Sequence, residues 1–257
     1  MSNVLRGPLV FALLLAVLVG AGLYMRSRSS TASPAQPLSS LQIETKSADP
    51  STLHPSYNDA VAALAAGDVE EARRLCDAVP REDRSYALAQ NMAAGIEART
   101  GAFDSALRRL DEISALQPEN PEIHLVRAKT LVLADRGAEA EFEALRALEL
   151  NPILVSARYV VALSRVSQGR MIDGMAAYTR ARNQDGAGRG QADAFNDLQQ
   201  LRLRRPELAG AHYATAWFAS NSGQIAVERE ALESFLATDP AGEPAEQARR
   251  RLSRITN

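Results

Sequence analysis

The stretch YALAQNMAAGIEARTGAFDSALRRLDEISALQPEN, Tyr86 to Asn120, reads as two helix-like halves broken at Gly101 and stopped at Pro118. The same marks recur with a 34-residue period. Pro118 maps onto Pro152, and Ala94 onto Ala128, Ala162 and, backwards, Ala60. Ala106 maps onto Ala140, Gly174 and Ala72, and Gly101 onto Gly67 and Gly169. Several positions kept in step over four units mark a helical repeat array, in which no unit buries its apolar face alone and neighbours must stack.

Each recurring residue has a physical role. Ala or Gly lets two antiparallel helices cross closely. Gly at the break accepts a left-handed backbone at the end of the first helix. Asp68 and Asp104 sit where a carboxylate caps the second helix. Pro ends the second helix and opens the next unit.

With units starting at Leu53, Ala87, Pro121 and Val155, these residues resemble the tetratricopeptide repeat (TPR) family: small residues at positions 8 and 20, Gly near 15, a large apolar residue at 24, Pro at 32. Position 24 reads Cys76, Leu110, Ala144 and Tyr178; position 32 reads Arg84, Pro118, Pro152 and Gly186. A fifth unit fits from Ala209, with Ala216, Gly223, Leu232, Phe235 and Pro240. The resemblance covers roughly Leu53 to Pro240 with one interruption. It implies an all-α fold, a right-handed α-solenoid of helix-turn-helix repeats with a concave and a convex side.

The first unit has Pro80 instead of a Pro at position 32, so an irregular turn is expected there. The third has Asp135 where Gly is usual and Gly137 two residues on, which predicts a shifted turn. After the fourth unit comes NQDGAGRGQ, Asn183 to Gln191, read as a loop because no strand precedes it and no Gly-Lys-Ser/Thr follows. A lone helix follows near 187–206, with Ala194, Leu198 and Leu201 before Pro206. The sequence leaves open whether it kinks the solenoid or folds into the groove. A capping helix is expected at 243–256, with Ala245, Ala248, Leu252 and Ile255 on one face and arginines on the others.

Upstream of the solenoid (51–257), residues 1–7 read as a tail, 8–25 as a transmembrane helix or signal peptide, and 26–50 as a flexible linker. Gly7 to Met25 is uncharged and mostly apolar; at ~1.5 Å per residue it reaches roughly 28 Å, just enough to cross a hydrocarbon core. Arg6 before it, and Arg26 and Arg28 after it, nearly balance. The Ser-, Thr-, Pro- and Ala-rich linker cannot bury a core. These features predict a single-pass protein of a bacterial inner membrane with its repeats in the periplasm.

Composition limits the classes of function. The chain of 257 residues carries a formal net charge of −2, which argues against nucleic acid as a partner. One cysteine, Cys76, excludes an internal disulfide. His54, His124 and His212 show no metal-ligand spacing, and no nucleophile has an evident base partner. No enzyme, cofactor or metal site is expected.

The TPR resemblance further implies that the first helices line a groove and that positions such as 5, 9 and 13 meet a ligand. Carried over, these give Tyr57, Asn91, Leu125, Tyr159 and Tyr213 at position 5, Lys129 and Trp217 at position 9, and Arg99 at position 13. The surface so drawn is apolar and aromatic with a small basic centre, suited to an amphipathic helix or an extended apolar peptide. The aromatics also suit packing between repeats. The expected function is a membrane-tethered scaffold for a protein or peptide partner, assisting assembly, secretion or maturation of an envelope complex. Its architecture is similar to that of the soluble TPR domains of cytochrome c biogenesis proteins. Alternatives are an oligomerisation module, with the chain as a homo-oligomer, or a non-catalytic subunit of an enzyme assembly.

Overall fold

The computed structural model describes residues 50–255 except Ala187 and Asp239. The described residues belong to one compact unit. They form a 3₁₀ turn, Pro50–Thr52, and twelve α-helices: α1 Pro55–Ala66, α2 Val69–Asp77, α3 Tyr86–Thr100, α4 Phe103–Leu116, α5 Pro121–Leu133, α6 Gly137–Leu150, α7 Val155–Ser167, α8 Met171–Gln184, α9 Arg189–Arg204, α10 Ala209–Asn221, α11 Ile225–Ala237 and α12 Glu243–Ile255. Among the described residues there is no strand. The helices pair into five hairpins, α1–α2, α3–α4, α5–α6, α7–α8 and α10–α11, and the first four stack in chain order.

One backbone device builds every hairpin. The residue at position 15 takes a left-handed conformation, and the next N–H reaches back to a carbonyl five residues earlier. The bonds run Asp68 N to Ala63 O (2.9 Å), Ala102 N to Glu97 O (2.8 Å), Arg136 N to Leu131 O (2.8 Å), Arg170 N to Arg165 O (3.0 Å) and Gln224 N to Ala219 O (2.9 Å). They satisfy carbonyls that the end of a helix leaves unpaired. Glycine supplies the conformation in four hairpins; in the third, Asp135 adopts it at φ 60°. The shifted turn predicted there does not occur. Asp tolerates this region better than most residues, so the third hairpin stays in register.

The small residues do what close crossing demands. Ala60, Ala72, Ala94, Ala106, Ala128, Ala140 and Ala162 are all fully buried. At Gly174 a Cβ would lie 2.5 Å from Val166 Cγ2 and 3.1 Å from the Ala162 carbonyl oxygen, so α8 meets α7 with no room for a methyl group. Asp68 caps α2 through Glu71 N at 3.3 Å. Asp104 does not cap α4: the cap is Ala102 and Asp104 lies inside the first turn, where its charge still complements the helix dipole.

Helix α9 departs from the stack. It packs along α7 and touches α5. It begins beside the start of α7, where a Cβ on Gly190 would lie 2.7 Å from the Tyr159 ring and 3.2 Å from Val155 Cγ1. Its far end reaches the turns of earlier hairpins: Arg204 Nη2 donates to Arg99 O at 3.1 Å, and Arg205 pairs with Asp135. Thus α9 lies across the first helices, on the groove side, rather than continuing the stack. Having crossed the molecule, the chain starts α10 at the opposite end of the fourth hairpin, beside Val166 and Met171. Further along α10, Phe218 meets Tyr159 (ring centroids 6.2 Å apart). α10 therefore runs antiparallel to α7, and one inserted helix has reversed the polarity of the fifth hairpin. α12 closes the array against α11.

The membrane expectation is corrected. Among the described residues no helix is long and apolar enough to cross a membrane. Segment 8–25, on which a single-pass inner-membrane placement rested, lies outside the described residues, as do the tail 1–7 and linker positions 26–49. The inner-membrane localisation is withdrawn.

Candidate functional site

The eight expected groove residues separate into three environments. Tyr57, Asn91, Leu125 and Tyr159 are buried. Tyr57 packs in the core of the first hairpin with Ala60, Ala72 and Cys76, where burial pushes its phenol up to about 12. Leu125 packs with Ala144, Ala147 and Val161. The same burial, reinforced by Asp77, pushes the Cys76 thiol up to about 12, so at neutral pH it is a protonated core residue and not a nucleophile.

Arg99 and Lys129 form the second environment, and both turn to one carboxylate on α9. Asp197 receives Lys129 Nζ at 2.7 Å and Arg99 Nη2 at 3.8 Å. All three side chains are largely shielded, so the attraction is less screened than at an open surface. Tyr159 secures the other end of α9. Its hydroxyl donates to Asp185 Oδ2 at 3.3 Å. Asp185 also accepts from Arg189 N at 3.0 Å and Gly190 N at 2.9 Å, capping a helix whose own first residues offer no side-chain cap. Between these anchors, Ala194, Leu198 and Leu201 enter the core shared by α5, α7, α8 and α10.

Tyr213 and Trp217 form the third environment, at the other end of the array. They line a cleft of about 200 Å³ between α10, α11 and α12 with Ala216, Ser220, Leu232 and Arg251. Tyr213 packs at a tilt against Phe235 (centroids 4.9 Å apart) and donates its hydroxyl to Gln247 Oε1 at 3.0 Å. Trp217 packs edge-on to Phe218 at 5.0 Å, and the Arg182 guanidinium lies 5.7 Å from its ring centroid. Both rings keep part of their surface open.

Three features escape a reading of the sequence. Asp185 and Asp197 carry no signal there beyond a loop and a helix position, yet they hold α9 at its start and its middle. Glu228, at position 20 of the fifth unit where a small residue is usual, is buried; Arg251 of α12 donates to it through Nε at 2.6 Å and Nη2 at 2.9 Å. These bonds and the charge of Arg251 hold its carboxyl below the ordinary value of 4.5, against the upward push of burial. Its signal is a long acid where the repeat asks for Ala. The position-4 residues of the third, fourth and fifth units act alike. His124 Nε2 faces Pro118 O at 3.3 Å, His212 Nε2 faces Pro206 O at 2.7 Å, and Arg158 donates to Pro152 O. Each side chain meets the carbonyl of the proline six residues before it, so the two histidines serve the turn. Among the described residues no group of three or more His, Cys, Asp or Glu is placed to hold a metal ion.

No protein-family model matches the chain, and no curated protein matches it. Among solved structures, a MamA structure is 18% identical, covering 76% of this chain and 95% of that one, with a TM-score of 0.40. YrrB, described as a TPR protein with an unusual peptide-binding site, is 18% identical, covering 84% of this chain and 99% of that one, with a TM-score of 0.41. At these values the architecture rests on the chain's own hairpins: an all-α, TPR-like array of helix pairs.

Proposed function

We propose that this chain is a non-catalytic helical-repeat scaffold that binds a protein or peptide, with the open cleft at Tyr213 and Trp217 as its accessible contact. The observation that carries this reading is the contrast within the groove set. Arg99 and Lys129 already have a partner in Asp197, whereas the rings of Tyr213 and Trp217 border a cleft that no other described residue fills. Half-open aromatics with polar tips, beside Arg182 and Arg251, suit an apolar side chain followed by a polar backbone.

The test is a photo-crosslinking residue in place of Trp217, with the same residue in place of the exposed Glu149 on α6 as control. In cells that make the chain, an adduct should form from position 217 and not from 149, and Tyr213→Ala should remove it. Adducts from 149 alone would refute the cleft.

A second reading, self-association, is favoured by one observation. Phe142 of α6 is 69% exposed and borders a surface depression with Leu107, Leu131 and Arg127, none of which lines the cleft at Trp217. An exposed aromatic in such a depression is a common element of an interface.

A further inference from the structure

Helix α6 carries two apolar faces, and the fold uses one. Ala140, Ala144 and Ala147 are fully buried where α6 packs on α5 and α7. On the opposite side Ala138, Phe142 and Leu145 stay exposed, Phe142 at 69% and Leu145 at 43%. An α-helix turns once in 3.6 residues, so these positions, four and three apart, form one stripe. Phe142 stands at its centre, with Ala138 and Leu145 on one flank and Glu139 and Arg146 on the other. The Glu139 flank opens on the depression lined by Leu107 and Leu131.

The two flanks are reversed copies of themselves. Glu139 lies about 4.5 Å before Phe142 along the axis and Arg146 about 6 Å after it. Ala138 lies about 6 Å before and Leu145 about 4.5 Å after. A second α6 laid antiparallel across a two-fold axis at Phe142 therefore sets Glu139 of each copy beside Arg146 of the other. It also sets Leu145 of each on Ala138 of the other, both within about 1.5 Å of register. Laid parallel, it would set Glu139 against Ala138 and Arg146 against Leu145, charge on apolar surface along both flanks.

We propose, building on the self-association reading, that the exposed face of α6 is a two-fold contact between copies of this chain, with α6 antiparallel on α6 and the Phe142 rings at the axis. Charge complementarity selects a second copy as the occupant, because the Glu139 and Arg146 pattern matches its own reverse. The ion pairs these residues now make, Glu139 with Arg136 and Arg146 with Glu149, are exposed pairs three residues apart on one helix, which cost little to exchange. Packed helices cross at an angle and diverge within about two turns, which leaves Glu149 outside the contact. A contact of one helix from each copy is small, so the dimer is a weak and reversible one. It shares no residue with the cleft at Trp217.

Sedimentation of the full chain over a range of concentrations is the test. The wild type should pass reversibly from monomer to dimer as concentration rises. Phe142→Glu should weaken association about tenfold or more, as loss of a central aromatic anchor does. Trp217→Ala should leave it unchanged. Glu139→Arg and Arg146→Glu should each weaken it, because either homodimer sets like charges together twice. Mixed in equal amounts, these two variants should pair with each other as tightly as the wild type does with itself. In that mixed dimer the reversed position 139 meets the reversed position 146, and the remaining Glu139 meets the remaining Arg146. The altered positions are exposed, and circular dichroism of each variant checks its helices; if Phe142→Glu does not fold, the mixing experiment decides alone. A wild type that stays monomeric at every concentration would overturn the proposal together with self-association and leave the stripe to a different protein. Association that survives Phe142→Glu would overturn it by placing the contact elsewhere. Association lost in Phe142→Glu but not recovered by mixing would overturn the antiparallel pairing and leave self-association standing.

Discussion

The groove at Lys129 and the cleft at Trp217 are built from the same repeat positions, yet one is filled and the other open. Position 9 of the third unit points at Asp197, while position 9 of the fifth unit borders a cleft. The difference comes from one inserted helix. By lying across the first helices, α9 satisfies the basic centre, and by carrying the chain across the molecule it turns the fifth hairpin over. Repeat position alone therefore does not decide what a residue of such an array can bind; the path of the chain between repeats does.

The largest expected effect separates the two regions by burial. Leu198 of α9 is fully buried, so Leu198→Ala should lose about 2–5 kcal/mol in denaturant melts. Trp217→Ala, at a half-open ring, should lose less. The reverse order would mean that α9 is not part of the core.

Gly190→Ala comes next. In helix propensity alone the change would favour folding by about 1 kcal/mol. The 2.7 Å approach to Tyr159 should outweigh that gain and produce a net loss of about 1–2 kcal/mol, typical of overpacking. A stabilised variant would show that α9 stands off from α7.

The cleft region should respond to acid through Glu228. Glu228 has a carboxyl lowered by the Arg251 hydrogen bond, so its contribution is present above its unfolded value near 4.5 and is lost as pH falls below that through its folded value. Below about pH 4.5, α12 should loosen first, read as a rise in hydrogen exchange along residues 243–255. Glu228→Gln should flatten that dependence; an unchanged acid response would assign it to another group.

The smallest effect concerns the third turn. Asp135→Gly should change stability by no more than about 0.5–1 kcal/mol, because relief of the left-handed backbone offsets loss of the exposed Arg205 pair. Asp135→Val should lose about 1–2 kcal/mol at the same φ.

Much of the architecture is legible in the sequence because each hairpin repeats a local necessity. Gly67, Gly101, Gly169 and Gly223 mark left-handed positions, and Ala94, Ala106, Ala128 and Ala140 mark close crossings; both demands act within one unit and show in its sequence. Asp135 misleads because a side chain can sometimes take glycine's conformation. The site is less legible because it depends on contacts between distant segments. Nothing near Lys129 announces that Asp197 will meet it, and nothing in Tyr159 separates a ligand-facing ring from one that anchors Asp185. Glu228 is visible as a departure from the pattern, but its partner Arg251 becomes evident only once α12 is in place.

The placement of α9 on the inner face is open to a direct chemical measurement. The chain has two lysines, Lys46 and Lys129, and Lys129 Nζ lies 2.7 Å from Asp197. A zero-length carbodiimide joins an amine to a carboxylate only where they touch. Digestion and mass spectrometry of the monomer should recover a Lys129–Asp197 isopeptide as the main product at Lys129, lost in Asp197→Asn. A monomer in which Lys129 couples to other carboxylates and never to Asp197 would contradict the account: α9 would then lie elsewhere, and the groove would stand empty.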